Sequence, residues 1–340
     1  MRRCVDKTVL AYALAALLLL LLFAANLFYG SIDIPCGEVL SIITGGECRR
    51  DVWRVVVLGT RLPQALTALL AGASISVAGL LLQTLFRNPL AGPEVLGVNS
   101  GAGLGVALVM LVAGGMSAFG LGGCLAVLGG AFGGALLVIM IILLLATLLR
   151  NNMFLLIAGV AVSYMTSSAI TLLNYFSTAE GVHSYMVWGM GSFGGVTMQQ
   201  MPFFATVALF LLMMSLALAK PLNALLLGDS YAVNLGVNVK TVRAVALCVT
   251  GLLTAVVTAF CGPVSFIGLA VPHIARISMR SNNHRHLIPS TMMLGGAVAL
   301  LCNIVCQLPG DSGLLPLGAI TPLIGAPVII YVVIRNRALR

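Results

Sequence analysis

Ten apolar runs, each about 20 residues long and almost free of charge, constrain this chain more than any motif does. A helix of that length covers a hydrocarbon core of about 30 Å. Inside such a core only helices and closed barrels can satisfy their own backbone. The runs fall near residues 9–29, 62–83, 95–114, 119–149, 153–175, 201–219, 241–260, 264–279, 287–306 and 315–334. The expected fold is an all-α polytopic membrane protein, with residues 1–340 forming one transmembrane domain and no room for a soluble one. Charged residues make up 8% of the chain and mean hydropathy is +1.10, whereas soluble domains carry about 25% charged residues. The first run follows a basic start, Arg2 and Arg3, but is long and lacks a small-residue cleavage site before Ser31. It reads as a retained span rather than a signal peptide.

The charges divide by side. Of the 18 basic residues, only Arg49, Arg50, Arg54 and Arg61 fall on one side of the alternating topology, together with Asp33, Glu38, Glu47, Asp51, Glu180 and Asp311. Asp6, Glu94 and Asp229 share the other side with the remaining basic residues. The positive-inside rule then places both termini in the cytoplasm. The pI of 9.4 reports that topology rather than nucleic-acid binding, which needs a basic face in water. The longest wet stretch on the basic side is Lys220 to Arg243, KPLNALLLGDSYAVNLGVNVKTVR. Within it, residues 220–240 are expected to project from the membrane and dock on a partner.

No catalytic constellation is present. His183, His273, His284 and His286 are scattered, with no HExxH motif, and no pair of acids shares a span. His273 is expected at a helix end, and His284 and His286 in a solvated loop beside Arg285. No lysine follows a glycine, so the chain has no phosphate-binding P-loop, and any ATPase is another chain. The spans offer no carboxylate for a proton relay or sodium site, which weighs against a self-sufficient secondary transporter without removing it as the alternative. Cys36 and Cys48 share the polar segment 31–60 and can form a disulfide if it faces an oxidising compartment.

Three further patterns carry expectations. Gly97, Gly101 and Gly105, and Gly130 and Gly134, recur every four residues, a spacing that lets helix backbones pack closely in lipid. Ser163, Ser167, Thr171 and Asn174 share one helical face. They either line a wet path or, for the hydroxyls, bond back to their own helix carbonyls. Proline and glycine break two stretches, RNPLAGPEVLGV (residues 87–98) and CGPVSFIGLAVP (residues 261–272). Irregular backbone at membrane depth needs protein or water to satisfy it, and the two stretches resemble an inverted repeat.

Five blocks resemble the FecCD-type permeases of ABC importers for iron-siderophore, haem and cobalamin uptake. They are RLPQALTALLAGASISVAGLLLQTLFRNPLAGPEVLGVNSGAG (residues 61–103), VWGMGSFGGV (187–196), NALLLGDSYAVNLGV (223–237), GPVSFIGLAVPHIAR (262–276) and LPLGAITPLIGAP (315–327). The resemblance implies a ten-span subunit with a type II importer permease fold, working as a homodimer with the path between its two copies. It also implies two ATPase subunits carrying ATP and Mg on the cytoplasmic face, a periplasmic substrate-binding protein outside, and a place in a bacterial inner membrane. By that likeness Asn223, Leu227, Gly228, Asp229 and Gly236 belong to the coupling loop, with Gly228 and Gly236 as its turns. Asn151, Asn152, Ser163, Ser167, Thr171 and Asn174 belong to the path and its gate. Arg61, Gln64, Gln307 and Arg54 belong to the docking face for the binding protein. Gln64 and Gln307 stand where many members carry arginine, and Leu314 where they carry glutamate.

Overall fold

The computed structural model describes residues 2–30, 32–46, 48–112, 121–149, 152–308 and 313–337, and the described residues form helices without strands. In order these are α1 (Arg2–Phe28), α2 (Cys36–Ile43), α3 (Asp51–Val56), α4 (Leu62–Phe86), α5 (Val98–Ala107), α6 (Leu121–Leu148), α7 (Asn152–Phe176) and α8 (Ala179–Gly189). They continue as α9 (Met201–Ala217), α10 (Ala219–Leu226), α11 (Asp229–Asn234), α12 (Val239–Cys261), α13 (Ile267–Met279), α14 (His284–Cys306) and α15 (Leu317–Arg337). Among the described residues six helices are long and apolar enough to cross a membrane. The bent pair α9–α10 and the shorter apolar helices 98–112, 267–279 and 317–331 answer the remaining expected runs.

The bundle is built around α4. A π-turn at Val57–Arg61 joins it to α3, giving a continuous helix of 36 residues in which 89% of the most apolar window is buried, against 6% for α1. At 1.5 Å per residue it runs about 54 Å, well beyond a hydrocarbon core. Its leading end therefore stands clear of the core, where Ile34, Val39, Ile42 and Val57 make a small cluster of their own. The rest of α4 packs against α9, α12, α13 and α14, while α5 and α6 form a second layer with α12.

Lipid supplies no hydrophobic drive between helices, so backbone proximity has to hold them together. Gly105 packs on the carbonyl of Gly130, and Gly101 on that of Gly134, as the four-residue spacing predicts. The closest approach is one the spacing did not signal: Gly79 of α4 lies against the carbonyl of Gly268 in α13. A side chain at either crossing has nowhere to go.

Cys36 and Cys48 are free thiols. Cys36 opens α2 exposed, while the Cys48 sulfur lies 3.2 Å from the Arg50 carbonyl, so the disulfide allowed by the sequence is not formed. His284 does not sit in a solvated loop, being buried in the first turn of α14, although its neighbour His286 is exposed. His273 lies in the middle of α13 rather than at its end.

Overpacking a tight helix crossing costs about 1–3 kcal/mol. Gly79→Ala should therefore lower the melting temperature of the detergent-solubilised protein. Gly133→Ala, where a new methyl meets nothing within 4 Å, should leave it unchanged. Equal melting temperatures for the two variants would show that the α4–α13 crossing is not close.

Candidate functional site

The wet stretch folds into two short helices outside the long spans. After α9 the chain bends by 48° into α10, and α11 follows. Gly228 separates the two short helices at φ +119° and Gly236 ends the second at φ +79°, values that a residue with a Cβ rarely adopts. The turn role expected of both glycines is present in the backbone. The surface between them is unusually apolar for a segment clear of the bundle. Leu227 is 65% exposed, Tyr231 53%, Val233 58% and Leu235 58%. Apolar side chains gathered on a projecting surface mark an interaction site.

Polar side chains fasten this projection from behind. Asn223 donates to Asn283 Oδ1 at 2.8 Å, and its own Oδ1 accepts from the His284 backbone N–H at 2.8 Å. The same oxygen faces His284 Nδ1 at 2.9 Å, and His284 Nε2 faces the Thr84 hydroxyl at 2.8 Å. With a neutral ring protonated on Nδ1, that N–H donates to Asn223, and the one Thr84 hydroxyl proton is shared between His284 Nε2 and the Leu80 carbonyl 2.9 Å away. Asp229 adds an ion pair to Arg87 at 2.6 Å and another to Arg243 at 3.2 Å. Asn223 and Asp229 thus tie the projection to the ends of α4, α12 and α14. Arg87 is the first residue of the first broken stretch.

The two broken stretches meet inside the bundle. Helix α13 has 13 residues and rises only about 20 Å, too short to cross a core of about 30 Å, so the chain leading into it re-enters the membrane. Phe266 begins that helix at φ +66° and donates its backbone N–H to Glu94 Oε1 at 2.7 Å. Lower on the same helix, His273 Nε2 lies 2.9 Å from the Pro89 carbonyl oxygen, and the Leu269 carbonyl accepts from Gln83 at 3.2 Å. Glu94 of the first stretch thus satisfies a backbone N–H of the second, and His273, just beyond the second, meets a carbonyl of the first. Glu94 was assigned to the basic-side loops and no carboxylate was expected within the spans. The structure places this acid, half-buried, at the junction of the two broken stretches, with its carboxylate on the Phe266 N–H. The signal was available: an acid within a Pro/Gly-broken run is placed to accept orphaned N–H groups.

Beside the junction runs α7. Gly97 packs on Ser163 and Gly159, and Gly159 packs on the Val95 carbonyl, so the first broken stretch lies directly against this helix. Ser163 bonds back to the Gly159 carbonyl at 3.0 Å and Thr171 to that of Ser167 at 3.0 Å. Ser167 and Thr171 are nonetheless exposed, and Ser163 and Asn174 half-buried. The Asn174 Oδ1 is buried without a hydrogen-bond partner, the one member of the stripe left with unmet polar demand. Asn152 opens α7, and Asn151 lies outside the described residues.

At the far end three of the four expected docking residues turn inward. Arg61 is 4% exposed, its guanidinium donating to the Leu27 and Phe28 carbonyls at 2.9 Å each and to that of Ile32. It caps α1, whose last carbonyls have no partner within the helix. Gln64 and Gln307 are also buried, in a ladder of amides. Gln307 donates to Gln64 at 3.4 Å, Gln64 to Asn303 at 3.0 Å and Asn303 to Asn26 at 2.7 Å. Among the four it is Arg54 that stands exposed. Beside the ladder, Gln64, Asn303, Ser192 and Leu314 line a cavity of about 210 Å³.

Comparison with known proteins agrees with this architecture. Residues 18–335 match the FecCD transport family. The Klebsiella pneumoniae vitamin B12 import system permease protein BtuC is 38% identical over 323 residues, covering 94% of this chain and 92% of that one. The Citrobacter koseri protein of the same name is 36% identical over 290 residues, covering 84% and 83%. A solved structure described as an inward-facing metal-chelate type ABC transporter superposes with a TM-score of 0.81 at 29% identity, covering 96% of this chain and 99% of that one. A match that runs through α4, the projection and both re-entrant stretches leaves one conclusion: this chain belongs to the FecCD transport family.

Proposed function

We propose that this chain is the membrane-spanning permease subunit of an ATP-driven importer for a metal chelate, with cobalamin the first cargo to test. The observation that carries the reading is the exposed apolar surface of Leu227, Tyr231, Val233 and Leu235 on a projection pinned to the re-entrant junction. In this reading the basic end is cytoplasmic and the projection docks on a separate ATPase subunit, which holds ATP and Mg. A second copy of the chain completes the path, and a substrate-binding protein delivers cargo to the opposite face. The relatives' named cargo supports a corrinoid.

The mechanism follows from the contacts. Closure of the docked ATPases displaces α10 and α11. The Asp229–Arg87 pair passes that displacement to the end of α4 and to residues 88–97. This stretch touches α7 at Gly97 and Gly159 and touches α13 through Glu94, so the two move with it. The exposed stripe of α7 then lines the path that opens and closes. With Arg61, Gln64 and Gln307 committed inside, exposed Arg54 and Arg50 carry the electrostatic part of binding-protein docking. Residues 1–340 act as one domain, and 220–240 is its coupling loop.

Uptake of labelled cobalamin, ferric siderophore and haem, compared in a strain lacking this gene and in the restored strain, tests the cargo. Loss of cobalamin uptake alone is the expected result, and loss of an iron or haem signal would assign another chelate. Uptake by the purified chain in liposomes without any ATPase would replace the reading with a secondary transporter.

Leu227→Asp combined with Leu235→Asp should abolish co-purification of the ATPase. The folding stability should change by no more than about 0.5 kcal/mol, because both side chains are already exposed. An unchanged ATPase yield would remove this surface from the interface.

Glu94→Ala should cost about 1–3 kcal/mol by leaving the Phe266 N–H unpaired, whereas Glu94→Gln keeps an acceptor there and should retain most of the stability. In reconstituted complexes the alanine variant should hydrolyse ATP with reduced transport. Full transport by a folded Glu94→Ala protein would show that the junction does not carry motion.

A further inference from the structure

We infer that the crevice between α1 and the α13–α14 turn is a binding site for one acyl chain of an anionic phospholipid, with Arg280 receiving the phosphate. The crevice has a volume of about 780 Å³. Its wall along α1 runs from Thr8 to Leu18 and is otherwise built from Leu10, Ala11, Leu14 and Ala15. Ten helical rises span about 15 Å, the depth of one leaflet of a core of about 30 Å. Leu294, ten residues into α14, closes the opposite wall at the same depth. The trough is therefore apolar and as deep as a single leaflet.

Its mouth is polar and cationic. Ser278, Arg280 and Ser281 line it where α13 ends. Arg280 is exposed, and the ion pairs among the described residues are Glu38–Arg49, Asp229–Arg87 and Asp229–Arg243, so no carboxylate there neutralises it. A guanidinium offers two parallel N–H donors that match phosphate oxygens, and the flanking hydroxyls add further donors. Basic pockets between helices at the inner face suit anionic headgroups. Helix α1 buries only 6% of its apolar window against the bundle, so the trough opens sideways to lipid rather than to water. A phospholipid matches both halves of the site, where a free anion would match only the mouth.

The test uses the full chain exchanged into nanodiscs of phosphatidylglycerol or of phosphatidylcholine with identical acyl chains, followed by native mass spectrometry to count retained lipids. Wild type should retain phosphatidylglycerol about fivefold better, the gain expected for one arginine at an anionic headgroup. Arg280→Gln should erase that preference without changing phosphatidylcholine retention, and Arg280→Lys should keep most of it. Ala11→Trp, which plugs the trough, should lower retention of both lipids. Equal phosphatidylglycerol retention by wild type and Arg280→Gln, or no effect of Ala11→Trp, would overturn the site. So would a thermal shift of delipidated protein by inorganic phosphate as large as that by phosphatidylglycerol, because the chain would then contribute nothing.

Discussion

Backbone that is not helical cannot face hydrocarbon, and this protein carries two such stretches inside its bundle. The physical solution is mutual: Glu94 accepts from Phe266, the Pro89 carbonyl faces His273, and the Leu269 carbonyl accepts from Gln83. None of these bonds is strong alone, since a net hydrogen bond contributes about 0.5–1.5 kcal/mol, but each prevents a larger desolvation penalty. The glycine contact between Gly79 and Gly268 brings the helices near enough for them to form. Remove the close crossing and the paired stretches lose their partners.

That dependence explains how a transporter can be rigid and mobile at once. The projection is held by side-chain bonds at partly exposed positions, where ion pairs such as Asp229–Arg87 stabilise little and exchange easily. Behind it lies a half-buried junction whose polar groups are paired with one another. In the proposed mechanism a displacement that starts at the loosely held surface is passed through that junction to α7 and α13.

Apolar periodicity and length made the spans legible, because crossing lipid demands about 20 residues whatever else the sequence does. The turns at Gly228 and Gly236 were legible too, since glycine tolerates backbone that other residues resist. Residue roles at the ends of helices were not. Arg61 reads as an outward charge until α1 is seen to end beside it with unpaired carbonyls, and His284 reads as solvated until Asn223 and Thr84 close over it. Glu94 was counted with the loops because a run that re-enters the membrane has no period of its own. In each case the deciding partner lies tens to hundreds of residues away along the chain.

The far end of the bundle is sewn together differently from the basic end. Asn26, Asn303, Gln64 and Gln307 form a seam across α1, α14 and α4 made of side-chain amides alone. Amides neither gain nor lose protons in the biological range, and they carry no net charge for salt to screen. That end of the bundle is in this way closed by bonds indifferent to acidity and ionic strength, with the Glu38–Arg49 pair lying outside the seam, whereas at the opposite end the projection itself hangs on the two ion pairs of Asp229.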